Sequence, residues 1–159
     1  MSSERKRMMP TKEQWEEITK KLSGVYGTVY LLIDGYQVAI ARRMIKKNQL
    51  CNVVFVNGEI KSEWGVTYRS NEKKPEIPEE VKRFWRPRCH NVFTPKSVQP
   101  FVKKYGKRRA EKEGCFDKKY HFDPYWSGVV SLKRHLMSNN ESIEYFPDGF
   151  PEEQKDAGA

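Results

Sequence analysis

Cysteine is scarce in this chain. Cys51, Cys89 and Cys115 are an odd number at irregular spacing, which argues against a disulfide framework and for a reducing compartment. Long apolar runs are missing too. No segment approaches the roughly 20 apolar residues that span a bilayer, and residues 1–10 are charged without the apolar stretch of a signal peptide. A cytoplasmic protein with no membrane partner is therefore expected. Acids are few relative to bases: 21 Asp and Glu face 30 Lys and Arg, for a net charge of +9. That balance favours polyanionic or acidic partners over a neutral small molecule. The chain also lacks a Gly-rich phosphate loop, a Gly-x-Ser-x-Gly elbow and a His-Glu-x-x-His pair, so neither an enzyme nor a cofactor is expected.

What is present centres on residues 26–68, which read as two β-hairpins in succession. Val29, Leu31 and Ile33 alternate with more polar or outward positions before Asp34-Gly35, and Tyr36, Val38 and Ile40 alternate after it. Asp-Gly between alternating runs marks a type I′ turn, because both central residues need positive φ. A two-residue turn sets Ile33 opposite Tyr36, Leu31 opposite Val38 and Val29 opposite Ile40, so turn and apolar pattern select one register. Asn57-Gly58 repeats the device and predicts Phe55 opposite Ile60, Val53 opposite Ser62 and Cys51 opposite Trp64. On that reading Val53, Phe55 and Trp64 face the core, with Asn52, Val54, Lys61 and Glu63 outward. The expected fold is α+β: an N-terminal helix, a four-stranded antiparallel meander and C-terminal helices packed on the sheet.

At 159 residues one domain is expected, over residues 11–146. Residues 1–10 have nothing to bury and read as disordered, and residues 147–159 as an acidic disordered tail. Thr11 with Gln14 forms a capping-box pattern ahead of Trp15, Ile18 and Leu22, which share one helical stripe. Pro78-Glu79-Glu80 opens a short helix carrying Val81, Phe84 and Trp85. Thr94-Pro95 opens another, with Val98, Phe101, Val102 and Tyr105 as its apolar stripe, and residues 106–114 carry no stripe and read as solvated on all sides. A last helix over about 126–137 and a short edge strand using Ile143, Tyr145 and Phe146 complete the pattern.

The charge is unevenly distributed. Residues 91–122 hold nine Lys or Arg against three acids, whereas residues 123–159 hold three against seven. Lys103, Lys104, Lys107, Arg108, Arg109 and Lys112 continue into Lys118, Lys119, Tyr120 and His121. Phosphates are met by Lys and Arg, and unpaired bases stack on aromatic faces, so this mixture suits nucleic acid. Arg42, Arg43, Lys46 and Lys47 form a secondary basic patch, read first as protection of a sheet margin.

Two other constellations compete. Cys89, His90, Cys115 and His121 carry ligand types suited to zinc but lack a common structural-site spacing, so no metal is assigned. Glu59-Ile60-Lys61 resembles the Glu-x-Lys half of the restriction-type nuclease motif, with Asp34 the sole upstream aspartate. The expectation is a small basic, non-enzymatic protein contacting nucleic acid through residues 103–122. The alternatives are an acidic protein surface as partner and a metal-dependent nuclease using Glu59 and Lys61. In size, charge and aromatic content the chain resembles accessory proteins of phages and other mobile elements, some of which bind and inhibit host proteins.

Overall fold

The computed structural model describes residues 8–151. The disordered ends expected at 1–10 and 147–159 thus lie outside the described residues at positions 1–7 and 152–159. The described ends are held to the domain. The Ile143 amide donates to the Met8 carbonyl at 2.8 Å, Pro10 is buried, and the Phe150 ring meets Tyr30 and Phe146 edge-on.

The first helix, α1 (Lys12–Leu22), starts as its sequence dictates. The Gln14 amide donates to the Thr11 hydroxyl and the Thr11 amide to the Gln14 side chain, and Trp15, Ile18 and Leu22 are buried along one stripe. The chain then turns at Gly27, where a Cβ would collide with the Lys21 carbonyl oxygen. It enters β1 (Thr28–Ile33) and β2 (Tyr36–Lys46), joined by Asp34 and Gly35 at φ 46° and 90°. Ile33 pairs with Tyr36, Leu31 with Val38 and Val29 with Ile40, the register that turn and pattern jointly select. β3 (Gln49–Val56) follows antiparallel to β2 after a turn through Asn48 at φ 63°.

The expected four-stranded meander stops there. Asn57 and Gly58 do adopt the turn, at φ 52° and 78°, but only Glu59 pairs back, in an isolated bridge to Val56. The chain then leaves the sheet as a 3₁₀ turn over Ser62–Trp64. Asn57 also donates its backbone N–H to the Gln37 carbonyl and accepts the Gln37 N–H on its side chain. The turn is thereby anchored across to β2. The edge of β3 pairs instead with β7 (Tyr125–Trp126), and β8 (Ile143–Phe146) pairs with β1, giving a five-stranded antiparallel order β7-β3-β2-β1-β8.

β3 also faces the other way from the sequence reading. Ile40 pairs with Val54 and Val38 with Val56, so Val54 and Val56 join the main core while Phe55 is only half-buried. Val53 and Cys51 are buried but lie outside that cluster. Trp64 reaches the core from the 3₁₀ turn and meets Trp85 edge-on at 5.4 Å.

Two further helices cover this core. α2 (Glu79–Phe84) contributes Val81 and Phe84, and α5 (Val129–Asn139) contributes Leu132 and Leu136. α5 starts three residues later than expected because Trp126 belongs to β7 and donates its indole N–H to the Phe84 carbonyl at 3.2 Å.

A second sheet was not anticipated. β4 (Tyr68–Arg69), β5 (Arg86–Asn91) and β6 (Lys118–Asp123) pair antiparallel in the order β4-β6-β5. Pro87 lies on β5, an edge strand, where its missing N–H is tolerated. Between β5 and β6 run α3 (Pro95–Tyr105) and α4 (Lys107–Lys112), whose buried residues Val98 and Ala110 stand apart from the main core. The protein is thus α+β with antiparallel sheets, and among the described residues no helix is long and apolar enough to cross a membrane.

Candidate nucleic-acid interface

α3 begins where expected. The Ser97 amide donates to the Thr94 hydroxyl at 3.2 Å, and Pro95 occupies the first turn, where its missing N–H costs nothing. The apolar stripe is only partly used: Val98 is buried, Phe101 and Val102 are half-buried, and Tyr105 is exposed. The Tyr105 ring serves the surface instead. It packs on Phe101 at 4.7 Å and carries the Arg109 guanidinium at 5.0 Å and the Lys104 ammonium at 5.3 Å. Cations held over a ring are partly fixed in position without losing their charge.

At Gly106, with φ 89°, the chain turns from α3 into α4. Lys107, Arg108, Arg109 and Lys112 are exposed, but α4 is not solvated all round as expected, because Ala110 is fully buried. That one methyl seats the helix and fixes which way its cations point. Glu111 and Glu113 stand four residues after Lys107 and Arg109, yet no ion pair engages Lys103, Lys104, Lys107, Arg108, Arg109 or Lys112 among the described residues. The six charges remain available to an external anion.

Strand alternation splits the remaining sequence candidates. Lys118 and Tyr120 share one face of β6, and Lys119 and His121 the other. Tyr120 stacks on Tyr68 at 5.4 Å, both rings half-buried, so one of its faces is taken. Lys119 and His121 lie beside residues the sequence reading missed. Arg88 pairs with His121, His90 with Lys119 and Arg69 with Lys119, and Arg86 continues the same face. One carboxylate, Asp123, interrupts the row, 3.9 Å from both Arg88 and His121. Burial, opposed by Asp123 and reinforced by His90, Arg88 and Lys119, holds the His121 imidazole below its ordinary pKa. The period-2 alternation Arg86, Arg88, His90 was the signal that could have revealed this face.

A cleft of about 590 Å³ borders the basic helices and meets the second sheet at Asn91, on the strand face opposite Arg88 and His90. It lies between α3, the first residue of α4, the end of β5 and the segment before β6, with Phe93, Val98, Val102 and Phe116 among its lining residues.

The other candidates do not assemble. Cys89 shares the Tyr120 face while His90 and His121 occupy the opposite one, and Cys115 lines the cleft. Among the described residues no three His, Cys, Asp or Glu side chains group as a metal site. Glu59 sits in an isolated bridge and Lys61 precedes the 3₁₀ turn, so the strand period that would align them is absent. Asp34 accepts the amides of Glu141 and Ser142 and pairs with Arg83 at 2.8 Å. In the secondary patch Arg42 donates to the Gly24 carbonyl and the Asn52 side chain, whereas Arg43, Lys46 and Lys47 are exposed on the β2–β3 hairpin.

Compared with family models, curated proteins and solved structures, the chain matches none. Its function has to be read from its own residues.

Proposed function

We propose that this protein is a non-enzymatic nucleic-acid-binding protein whose contact surface runs from α3–α4 to the second sheet. The observation that carries the reading is the set of six exposed cations from Lys103 to Lys112, none ion-paired among the described residues although Glu111 lies in α4 and Glu113 caps it. Arg69, Arg86, Arg88 and Lys119 extend the positive field on one face of the second sheet. Phosphate neutralisation releases condensed counterions, so the test is the salt dependence of oligonucleotide affinity. A slope near one logarithmic unit per phosphate contact supports the reading, and a shallow slope opposes it.

A second reading, an accessory protein that docks on and modulates an acidic protein surface, draws support from the β2–β3 hairpin. There Met44, 61% exposed, and Ile45 accompany Arg43, Lys46 and Lys47. Apolar side chains inside a basic patch suit a protein partner with milder salt dependence. Co-purification from the native host with and without nuclease separates the readings: one stoichiometric protein surviving nuclease favours the second.

A further inference from the structure

We infer that the cleft between α3 and the end of β5 accepts one unpaired base of a single-stranded nucleic acid; this rests on the nucleic-acid reading above and specifies the strand it takes. Its volume of about 590 Å³ falls in the roughly 300–1,000 Å³ range of ligand-binding clefts. Phe93 and Phe116, 48% and 43% exposed, line it together with Val98 and Val102. These residues offer the apolar and aromatic surface on which a base stacks, whatever its identity. Exposed phenylalanines carry a solvation cost in the free protein that a stacked base removes.

The polar complement fits the same ligand. Asn91 and Gln99 are lining residues, and each carboxamide presents a donor and an acceptor side by side, the pattern that pairs with a base edge. The charged lining residues are Lys96 and Lys107, with no carboxylate among the lining, so the site suits a ligand with phosphates on both sides of an apolar ring. Beyond Lys107 the cations of α4 continue, and beyond Asn91 its strand partner Lys118 does, giving a connected chain of phosphates somewhere to run in each direction. An apolar side chain from an acidic peptide would fill the walls but leave the two carboxamides without ring partners. A duplex keeps its bases stacked inward and reaches the cleft only after unstacking one.

The test is fluorescence anisotropy with a labelled 12-nucleotide single strand and the matching duplex, run on the wild-type chain and on Asn91→Ala/Gln99→Ala and Phe93→Ala/Phe116→Ala variants. All four residues are exposed, so circular dichroism should match the wild type. The single strand should bind at least about tenfold more tightly than the duplex. The phenylalanine pair should lose about tenfold or more on the single strand, with little change on the duplex. Alkylation of Cys115, followed in a Cys89→Ser background with Cys51 buried, should slow when the single strand is present. Equal binding of both forms, unaffected by either variant, overturns the base-binding cleft while the broader nucleic-acid reading stands. Binding of neither form overturns both. Protection of Cys115 by a poly-glutamate peptide and not by the oligonucleotide assigns the cleft to a protein and likewise overturns it.

Discussion

The His90 and His121 rings stack face to face at 5.2 Å with 17° between their planes, on the face of the second sheet that also carries Arg69, Arg86, Arg88 and Lys119. Protonating His121 adds a positive charge beside His90, Arg88 and Lys119, with Asp123 opposing. In the free protein burial, together with that repulsion, holds His121 below its ordinary pKa. A polyanion laid on the face reverses the balance, because each phosphate favours the imidazolium. Binding then takes up protons, and affinity rises as pH falls through the histidine range. The check is oligonucleotide affinity between pH 7.5 and 5.5 together with the His121 titration followed by NMR with and without ligand. A His121 pKa unmoved by the ligand would remove this face from the interface.

Asp34 is more than a turn residue. Its carboxylate accepts the Glu141 and Ser142 amides at 2.9 and 2.8 Å and pairs with Arg83 at 2.8 Å, tying the first hairpin to α2 and to the start of β8. Asn tolerates the same positive φ, so Asp34→Asn isolates the loss of charge. Charge-assisted bonds of this kind contribute about 1.5–3 kcal/mol each, and their partners here are partly exposed, so a total loss of about 1–3 kcal/mol is expected in urea denaturation. A loss below about half a kilocalorie, within the range of ordinary surface changes, would mean the tie is not formed in solution.

The inverted face of β3 makes an ordered pair of predictions. Val54 is fully buried in the main core and Phe55 is half-buried on the opposite face, so Val54→Lys should abolish the cooperative thermal transition because it buries an unpaired charge. Phe55→Lys should leave a folded protein. Leu31→Ala, at a site with no exposure in either reading, should cost about 2–5 kcal/mol. Tolerance of Val54→Lys with collapse of Phe55→Lys would restore the face first read from the sequence.

These outcomes also show where the sequence was legible. The first hairpin and α1 were readable because each is specified locally, by Asp34-Gly35 between alternating strands and by the Thr11–Gln14 box. The second hairpin misled for a physical reason. Asn57-Gly58 does form its turn, but a turn propagates into a strand only if the partner edge is free, and the edge of β3 is taken by Tyr125 and Trp126 from far along the chain. A two-residue strand leaves no periodic trace. The site divides the same way. Lys103 to Lys112 lie on consecutive helical turns and were visible as a run, whereas Arg69 of β4 and Lys119 and His121 of β6 reach the face of Arg86, Arg88 and His90 of β5 only through long-range pairing. Their charges hid the alternation that hydropathy would otherwise reveal.

His135 should make the fold acid-sensitive. Its Nε2 lies 3.1 Å from the Lys82 carbonyl and its Nδ1 3.3 Å from the Asn139 amide nitrogen, an arrangement that fits the neutral ring with the proton on Nε2. Burial lowers its pKa, partly offset by the Lys82 carbonyl. The unfolded chain, titrating near about 6.5, therefore binds a proton more readily than the folded one. Stability is complete above that value and is lost as pH falls through the lower folded pKa. Between pH 7.5 and 5.5 the melting temperature should fall, and it should fall less in His135→Gln. An equal drop in both proteins would contradict the assignment.

Reversing Lys107, Arg108 and Arg109 to Glu, and measuring oligonucleotide affinity alongside thermal melting, decides whether the basic helices are an interface or a solvated surface. All three side chains are exposed and free of ion pairs among the described residues, so the melting temperature should stay close to that of the wild type. Binding should be lost, or reduced with a salt slope lower by about 2–3 units, since each lost phosphate contact removes roughly 0.7–0.9. A triple variant that melts normally and binds the oligonucleotide with wild-type affinity and salt slope would contradict the assignment of α3–α4 as the nucleic-acid surface.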